Sequence, residues 1–476
     1  MINYLKPYPA YKPSGVEWLG EVPAHWEVRR LKTAVAHINE QMNAKNPDDL
    51  YIALEHVESW TGRLRVPSGD IQFDSQVKRF RAGDVLFGKL RPYLAKVVRP
   101  KQSGVCVGEF FVLRARPVFA PHYLEVVLRS APAIDFVNSS TYGAKMPRAD
   151  WTFVGAMLFP LPPLPEQTAI VRFLDWAEQR IRRVIRARQR RFKLLEEYKQ
   201  ALIHQAVTGR IDVRTGRPYP AYKDSGVDWL GEVPEHWEVR RLKHIARLNP
   251  TKSEVGSLLK DGIAVFLPME RVGVDGRIDC SEVRPLVELW NGFTYFRRGD
   301  VIVAKITPCF ENGKGACLTA LPTEIGFGST EFYVLRPRPG IHADFLYRIT
   351  TLPEFRHLGA EAMIGAAGQQ RVPSSFVEQF QSAFPPLPEQ TAIVEYLDAQ
   401  ATKINAAIAA ARREIDLLRE YRERLIADVV TGKLDVREVA EKLPDEPEEE
   451  LELIEDEAEE KDVDEIDTLP EEDSDE

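Results

Sequence analysis

The sequence predicts an α+β protein in which two β-rich variable domains are joined by two long antiparallel coiled-coil helices as a pseudo-two-fold internal repeat. Three observations predict this fold class. Residues 7–32 and 218–243 differ at only three of 26 positions. The segment PPLPEQTAIV occurs at both 162–171 and 385–394, and a long helical pattern follows each occurrence. Between these constant segments the two copies diverge, so each repeat is a constant frame that holds a variable insert.

The variable inserts, residues 40–160 and 250–383, are predicted to be rich in β-strands. Short β-branched and aromatic runs are bounded there by Gly, Pro and Asp, and a Gly-Asp turn precedes one run in each copy. The segment HYLEVVLRSAPAIDFV (122–137) is predicted to be helical instead. The predicted strand regions are VKRFRAGDVLFGKL (77–90), GVCVGEFFVLRARP (104–117), FRRGDVIVAKI (296–306) and STEFYVLRPRP (329–339).

Each constant segment after an insert predicts a helix of about 43 residues, or roughly 65 Å at 1.5 Å per residue. Pro165 suits the first turn, Glu166 suits the positive end of the helix, and Gly209 suits its left-handed cap. A heptad seam, imperfect in its middle, is predicted along both helices. Its positions are Leu174, Ala177, Ile181, Val184, Arg188, Arg191, Leu195, Tyr198 and Leu202, then Leu397, Gln400, Ile404, Ala407, Ala411, Glu414, Leu418, Tyr421 and Leu425.

The order of the elements predicts how the helices run. The first helix leads the chain away from the first variable domain, and the second helix begins at the second variable domain. If the two helices share their seams, they must run antiparallel, with one variable domain at each end.

The charge is unevenly distributed along the chain. Residues 441–476 carry a net charge of −19, so the first 440 residues carry +10 within a total of −9. The body could attract phosphates, whereas the acidic tail is expected to be disordered and to repel them. The stretch RIRRVIRARQRRFK (180–193) is the most basic part, and predicts a helix face near a phosphate backbone or an acidic surface.

Composition and motifs argue against several other classes of protein. No apolar run has the roughly 18–20 residues needed to cross a bilayer, and the first residues show no export signal, so we expect a cytoplasmic protein. The four cysteines form no CxxC pair and are expected to be idle. A GxxxxGK[ST] phosphate loop, an HExxH motif and a complete GxGxxG are missing. We therefore expect a non-catalytic chain without a cofactor or metal of its own.

The repeated segments together resemble those of type I restriction–modification specificity subunits, over residues 1–437. The resemblance lies in the pattern P-x-H-W-E-V-R-R-L at Pro23–Leu31 and Pro234–Leu242, in both PPLPEQTAIV segments, and in the divergent inserts between them. It divides the chain into target-recognition domain 1 with the N-terminal constant segment (1–160), helix 1 (161–209), target-recognition domain 2 (210–384), helix 2 (385–437) and the acidic tail (438–476). The family pattern does not require this tail.

The resemblance implies a function and a set of partners. Each target-recognition domain would read half of a bipartite, asymmetric site in double-stranded DNA, and the helices would measure the spacer between the halves. The helices would also dock two adenine methyltransferase (modification) subunits, which use S-adenosylmethionine. Restriction/translocase subunits that use ATP and Mg would complete the enzyme.

Candidate DNA-binding residues are basic and amide side chains near the Gly-Asp turns and in two Gly- or Pro-containing loops, TYGAKMPRADW and GAAGQQRVP. Arg and Lys pair favourably with guanine, and Gln pairs with adenine, whereas cations on phosphates only position the protein. An ordinary solvated basic surface is the alternative for each residue. The candidates are Lys78, Arg79, Arg81, Lys89, Arg91, Lys145 and Arg148 in the first domain, and Arg297, Arg298, Lys305, Gln369, Gln370 and Arg371 in the second.

Several alternatives remain open from the sequence. Trp18, Trp26, Trp229 and Trp237 could stack on bases, but tryptophans in constant segments are expected to fix the frame instead. The chain could serve a methylate-and-cut enzyme of another type, act as a stand-alone DNA-binding regulator, or be an adaptor that binds proteins. A true DNA reader should show a steep dependence of affinity on salt, which an adaptor should lack.

Overall fold

A computed structural model describes residues 5–43, 46, 49–65, 76–141, 143, 146–258, 262–366 and 368–444. The chain divides into two compact units. The first unit comprises Met1–Ala187 and Glu414–Glu476, and the second comprises Arg188–Arg413. Each unit therefore contains one variable domain, the beginning of one long helix and the end of the other.

The elements follow a similar order in the two copies, except for edge strands that occur in one copy only. The strands of the first copy are β1 (Tyr11–Pro13), β2 (Glu21–Pro23), β3 (Glu27–Arg30), β4 (Val35–Ile38), β5 (Gln41–Met42), β6 (Leu50–Ile52), β7 (Val77–Phe80), β8 (Val85–Gly88), β9 (Val97–Val98), β10 (Gly104–Val107), β11 (Phe110–Ala115) and β12 (Leu158–Leu161). Its helices are α1 (Leu31–Ala34), α2 (Pro121–Arg129), α3 (Ala131–Ser139), α4 (Trp151–Ala156) and α5 (Leu164–Val207), with 3-10 turns at Leu54–His56 and Pro92–Leu94.

The second copy adds a similar set. Its strands are β13 (Tyr222–Asp224), β14 (Glu232–Pro234), β15 (Glu238–Arg241), β16 (Ala246–Leu248), β17 (Ile263–Leu267), β18 (Val283–Pro285), β19 (Thr294–Arg297), β20 (Val301–Ala304), β21 (Gly315–Cys317), β22 (Ile325–Gly328), β23 (Phe332–Pro337) and β24 (Gln381–Phe384). Its helices are α6 (Leu242–Ile245), α7 (Leu286–Leu289), α8 (Ala343–Thr350), α9 (Pro353–Glu361), α10 (Ser374–Gln379), α11 (Leu387–Val430) and α12 (Arg437–Glu441), with 3-10 turns at Lys252–Leu258 and Met269–Arg271.

Two four-stranded sheets form each variable domain. One sheet has the order β4-β11-β8-β9 in the first domain and β16-β23-β20-β21 in the second. The other has the order β5-β7-β10-β6 or β18-β17-β22-β19, and each contains one parallel pair, β6 with β10 or β17 with β22. The edge strands differ, because β5 extends the first domain beside β7 whereas β18 extends the second beside β17. The divergent inserts therefore share a central topology and add an extra strand at opposite edges of this sheet.

The central strands are buried on both faces, which explains their nearly continuous apolar sequence. In β8, Val85 and Phe87 join the core beneath the helices, whereas Leu86 between them joins the core between the two sheets. Strand β20 repeats this alternation in the second unit, where Val301 and Val303 face one core and Ile302 and Ala304 the other. Each variable domain thus has three layers, two of sheet and one of helix.

The segment 122–137 was predicted to be helical, and this is confirmed: it consists of two consecutive helices, α2 and α3. Ser130 separates α2 from α3 with an extended backbone (φ −66°, ψ 144°). Pro132 explains the break, because within one continuous helix it could not donate to the carbonyl four residues earlier and its ring would clash there.

The two long helices run antiparallel within each unit. In the first unit, Glu178 near the start of α5 lies 3.5 Å from Arg422 near the end of α11. In the second unit, Arg412 of α11 lies over the ring of Phe192 of α5. Lys199, seven residues further along α5, donates to Asn405, seven residues earlier on α11. Partner numbers fall along α11 as they rise along α5, and the predicted fold class is confirmed.

The seam of the helices differs from the predicted one at several positions. Eight of the predicted seam residues are buried, but Val184 and Tyr198 are exposed. The buried ones are Leu174, Ala177, Ile181, Leu202, Leu397, Ile404, Ala411 and Leu425. On α11, Ile408 and Ile415 are buried, whereas the prediction placed Ala407 and Glu414 in the seam. Each buried isoleucine lies four residues after a correctly predicted seam residue, Ile404 or Ala411, whereas the prediction counted three residues. A wider helical stripe, rather than a strict two-position coiled-coil seam, explains this shift.

The chain remains ordered beyond its second long helix. Residues Arg437–Glu441 form α12, and Ala440 and Leu443 are buried in the core of the first unit. The acidic tail was predicted to begin at 438, so its first residues, through 444, belong to the folded first unit. Residues 445–476 lie outside the described residues. None of the helices in the described ranges is both long enough and apolar enough to span a bilayer.

Candidate nucleic-acid interface

A buried glutamate at the start of each long helix organises the constant frame. Glu166 accepts hydrogen bonds from the Tyr8 hydroxyl (2.5 Å) and from Trp26 Nε1 (2.9 Å), and its other oxygen lies 2.8 Å from His25 Nε2. In the second unit Glu389 has the same partners, with the distances Tyr219 2.5 Å, Trp237 3.1 Å and His236 2.9 Å. The repeated Tyr, His-Trp and Pro-Glu-Gln motifs are therefore parts of one interaction.

In the second copy, the surroundings of Glu389 favour its ionised form. Burial opposes its ionisation, but the hydrogen bonds from Tyr219, His236 and Trp237 hold the pKa of Glu389 below its ordinary value. Burial and the same carboxylate together raise the pKa of Tyr219, so the phenol keeps its proton and donates it. Trp26 and Trp237 are fully buried. The prediction that they fix the frame is confirmed.

The next residue in each motif ties the long helix to the variable domain. Gln167 Nε2 donates to the carbonyls of Pro162 and Val118, and its Oε1 accepts from the Ala120 amide. Gln390 repeats this pattern in the second unit with Pro385, Gly340 and His342. The frame thereby fixes each β-domain to its helix through main-chain contacts, which leaves the side chains of the domain free to vary.

The Gly-Asp turns are also structural. The Asp84 carboxylate, which is 3% exposed, accepts a hydrogen bond from the main-chain amide of Arg81. It also accepts two hydrogen bonds from the guanidinium of Arg114, as an ion pair. Asp300 accepts the Arg297 amide and pairs in the same way with Arg336. The aspartate accounts for the repeated Gly-Asp sequence, and it holds the turn through the backbone. The Arg81 and Arg297 side chains are left exposed on the turns.

Two other candidates near these turns, Arg298 and Arg79, have partners within the protein. Arg298 donates from Nε and Nη2 to the carbonyls of Leu321 and Pro322, so its guanidinium holds a loop. Arg79 Nη1 lies 3.7 Å from the sulfur of Met42 on edge strand β5.

Lys78 was predicted to contact DNA, but it is buried in the first variable domain. It is 8% exposed, and its Nζ donates to the Phe110 carbonyl between the two sheets. Burial and the nearby charge of Lys89 lower the pKa of its ammonium group. Because its neighbours Val77 and Phe80 are also buried, Lys78 supports the sheet packing, and we exclude it from the candidate interface.

The two predicted loops occupy equivalent places in their domains. Arg148 forms a β-bridge with Leu90 and an ion pair with Glu109 (3.3 Å). Arg371 forms the same bridge with Ile306 and the same ion pair, with Glu331 (2.7 Å). Since each arginine is paired with the glutamate that begins the repeated EF-[FY]-V-L-R strand, both arginines anchor their loops, and neighbouring residues are better placed to contact a ligand.

These neighbours form the candidate interface of each domain. Lys89 follows β8 and Lys305 follows β20 at the equivalent point. The main-chain carbonyl of Lys89 accepts a hydrogen bond from the Ala149 amide of the first loop, and that of Lys305 accepts one from the Val372 amide of the second loop. Arg91 is exposed and has a left-handed backbone (φ 49°), which is uncommon for arginine. Gln369 is exposed and Gln370 is half-buried, at the tip of the second loop. Lys145 of the first loop lies outside the described residues.

The candidates do not form one surface. Arg81 lies before β8 and Lys89 after it, so about four residues of strand, or roughly 13 Å, separate the turn from the loop. The same holds for Arg297 and Lys305 on either side of β20. The loop end of the second domain contains the exposed amide of Gln369, whereas the turn ends carry the exposed cations Arg81 and Arg297.

A cavity of about 250 Å³ opens at the loop end of the second domain, and the sequence prediction missed most of its lining. Asn249 has a left-handed backbone (φ 46°), and its Oδ1 accepts the Val334 amide. Lys305 Nζ lies 5.4 Å from the centroid of the Tyr333 ring. The Asn-Pro pair at 249–250 is a turn signal in the sequence, but it does not indicate a cavity. Its lining residues are Asn249, Pro250, Lys252, Phe293, Thr294, Tyr295, Lys305, Thr330 and Phe332.

Other kinds of site are not supported in the described part of the chain. No group of three or more His, Cys, Asp or Glu side chains is arranged to hold a metal ion there. Burial raises the pKa of the Cys106 thiol to about 12, and that of Cys317 to about 12 as well. Neither thiol forms a reactive thiolate at neutral pH.

No family model matches the chain. It is 38% identical over 164 residues to the specificity subunit of the type I restriction enzyme EcoEI of Escherichia coli, covering 34% of this chain and 27% of that protein. The EcoAI specificity subunit, also from Escherichia coli, is 38% identical over 164 residues, which are 28% of its length. The matched region thus spans about a quarter of each of these curated relatives. The putative MjaX specificity subunit of Methanocaldococcus jannaschii is 22% identical over 439 residues, covering 88% of this chain and 96% of that protein. The chain is related to type I restriction enzyme specificity subunits.

Two solved structures share the fold. A chain from a study of complex assembly and conformational transition in a type I restriction–modification system has a TM-score of 0.66 and 21% identity, covering 87% of this chain and 99% of that one. The HsdS subunit of Thermoanaerobacter tengcongensis has a TM-score of 0.52 and 21% identity, covering 87% and 98%. Relatedness to specificity subunits and this shared fold agree with the repeat organisation found in the sequence.

Proposed function

We propose that this chain is the non-catalytic, DNA-reading specificity subunit of a type I restriction–modification enzyme. The supporting observation is that one frame, built on Glu166 and repeated on Glu389, holds two domains of the same topology and different sequence. Such a design keeps the assembly contacts constant while the reading surfaces change. Each domain would recognise one half of a bipartite, asymmetric site in double-stranded DNA.

The partners of the proposed function follow from the family. Two adenine methyltransferase subunits, which use S-adenosylmethionine, would dock on the long helices, and restriction/translocase subunits, which use ATP and Mg, would complete a cytoplasmic enzyme. The chain itself would contribute recognition without chemistry. The long helices would set the spacer between the half-sites.

At residue level, the loop end of each domain is the proposed base-reading surface. In the second domain, Gln369 and Gln370 offer amides suited to adenine and Lys305 a cation suited to guanine. In the first domain, Lys89 and Arg91 take this role, together with Lys145. Arg81 and Arg297 are proposed to contact phosphates, which position a protein without reading sequence. Arg148 and Arg371 support the loops through their glutamate partners.

The test is a genome-wide map of methylated adenines in the host with and without this gene. Loss of one bipartite, asymmetric motif on deletion is the expected result. An unchanged map in a host whose methyltransferase subunit is expressed would contradict the proposal, and would favour a stand-alone regulator.

A second map tests the residue assignment. The double variant Gln369→Ala/Gln370→Ala should relax or change one half of the motif and leave the other half as it was, since each domain reads separately. Gln379→Ala is the matched control, because Gln379 is an exposed amide on α10 outside the loop. If both half-motifs change, or if neither does, these glutamines do not read bases.

A further inference from the structure

One face of helix α5 carries a line of cations, the basic stripe, formed by Arg172, Arg180, Arg183, Arg186, Arg190 and Lys193. Spacings of eight, three, three, four and three residues keep these side chains on one side of a helix with 3.6 residues per turn. The buried residues of the same helix, Ile170, Ala177 and Ile181, lie about half a turn away. The stripe therefore faces away from the core.

The basic stripe belongs to one copy of the repeat only. The equivalent positions of α11, 223 residues later, are Glu395, Lys403, Ala406, Ala409, Arg413 and Asp416, whose net charge is zero. Contacts common to both halves of the frame, such as those of Glu166 and Glu389, are present twice. A surface that occurs once therefore points to a ligand that occurs once.

The described chain ends at the first residue of this stripe. Arg172 donates through Nη2 to the carbonyls of Leu443 and Pro444, the latter at 3.1 Å, and Leu443 is 7% exposed. The chain is thus anchored at Arg172 immediately before residues 445–476. This segment has 32 residues, of which 20 are acidic and one is basic, giving a net charge of −19.

Length and charge both match the stripe. From Arg172 to Lys193 the helix rises 21 residues, or about 31 Å at 1.5 Å per residue. About ten residues of extended chain cover that distance at roughly 3.3 Å each, so the segment is long enough three times over. Because it is tethered at one end of the stripe, its effective concentration there is on the order of millimolar.

We propose that the acidic segment 445–476 binds the basic stripe of α5 and competes there with the phosphates of DNA. Occupation by the segment would suppress non-specific DNA binding along this helix, while the loop ends of the two domains stay free to read sequence. The contact of segment and stripe does not depend on the proposed recognition function. The consequence for DNA affinity goes beyond it, as a control on where the protein binds.

The first experiment compares the full chain with a chain ended after Pro444, which keeps every described residue. We expect the truncated protein to bind a random-sequence duplex at least tenfold more tightly at 50 mM salt, measured by fluorescence anisotropy. The difference should shrink as salt rises, because both competing interactions are screened. Equal affinities at 50 mM salt would overturn the proposal.

A second pair of variants separates binding to the stripe from general repulsion by the tail. In Arg183→Ala/Arg186→Ala, which installs the residues that α11 has at the equivalent positions, truncation should change DNA affinity less than threefold. In the control Arg413→Ala/Arg424→Ala, on α11, truncation should keep its full effect. If truncation has the same effect in both variants, the tail acts by long-range repulsion and the proposed contact is wrong.

A labelled peptide of residues 445–476, added to the truncated chain, tests the contact without DNA. The peptide should bind the truncated chain with an affinity that falls as salt increases. Its affinity for the truncated Arg183→Ala/Arg186→Ala variant should be at least tenfold lower. Lack of binding to the truncated chain would refute the contact. Binding by a protein that recognises no specific DNA site would support the contact while contradicting the proposed function.

Discussion

Glu389 provides the sharpest test of how the frame is held together. Its carboxylate accepts from Tyr219 and Trp237 and contacts His236, and both Tyr219 and Trp237 are buried. Glu389→Ala would leave two buried donors without an acceptor. At about 1–3 kcal/mol for each unsatisfied buried group, the free energy of unfolding of the second unit should fall by roughly 2–6 kcal/mol.

Glu389→Gln is the milder variant, since its oxygen still accepts while the charge is lost. Hydrogen bonds to charged groups contribute about 1 kcal/mol more than neutral ones, so this variant should cost about 2 kcal/mol. Glu395→Gln is the matched control on the same helix, because Glu395 is exposed, and its effect should stay within about 0.5 kcal/mol.

Hydrogen exchange measured by mass spectrometry is the appropriate assay, because a chain of two units need not unfold in one step. In the Glu389 variants, the amides of peptides from 219–242 should exchange faster. In the corresponding Glu166 variants, the amides of peptides from 8–31 should exchange faster. The pH dependence provides a further check. The pKa of Glu389 is depressed, so its contribution is complete above its ordinary value of 4.5 and is lost as the pH falls through the folded value. Glu389→Gln should remove that part of the acid sensitivity. If Glu389→Gln matches Glu395→Gln in exchange and in acid sensitivity, the carboxylate does not hold the frame.

Three further perturbations probe other parts of the fold. Gly209→Ala should destabilise the second unit by about 2–4 kcal/mol, since Gly209 has φ 74° and a Cβ there would lie 2.4 Å from Pro234 Cδ. The control Gly216→Ala, with a similar φ and open space around it, should cost only about 1 kcal/mol. Equal shifts of the thermal unfolding temperature in the two variants would contradict this. Arg336→Met should cost about 3–5 kcal/mol in urea unfolding by leaving buried Asp300 unpaired, and a neutral effect would rule out a structural role for the pair. Equal seven-residue insertions in both long helices should change the spacer of the methylated motif and preserve both half-motifs, and an unchanged spacer would refute the ruler role.

The repeat made the frame predictable from one sequence. Comparing the copies isolates the Tyr, His-Trp and Pro-Glu-Gln motifs, and their shared role explains why they recur together. Gly209 was predicted as the left-handed cap of the first helix, and its φ of 74° confirms this. The glycine has a second role that the sequence did not indicate, because Pro234 and Trp237 pack directly against it.

Side-chain roles within the domains were harder to predict, because they depend on partners distant in sequence. Lys78 and Arg79 are adjacent letters in the sequence, yet one donates inside the sheet sandwich and the other lies beside the edge strand. Arg148 is held by a glutamate 39 residues away. A basic residue near a loop therefore gives little information on DNA contact until the nearest carboxylate is known.

Comparison of the two domains offers a physical criterion for separating support from recognition. Interactions present in both, such as Asp84 with Arg114 and Asp300 with Arg336, maintain a topology that the two domains share. Features present in one domain only are free to differ in what they bind. The Gln369–Gln370 tip and the edge strands β5 and β18 belong to this second class. Since a change there leaves every shared contact in place, we expect the proposed half-site specificity to change at these positions without loss of the frame.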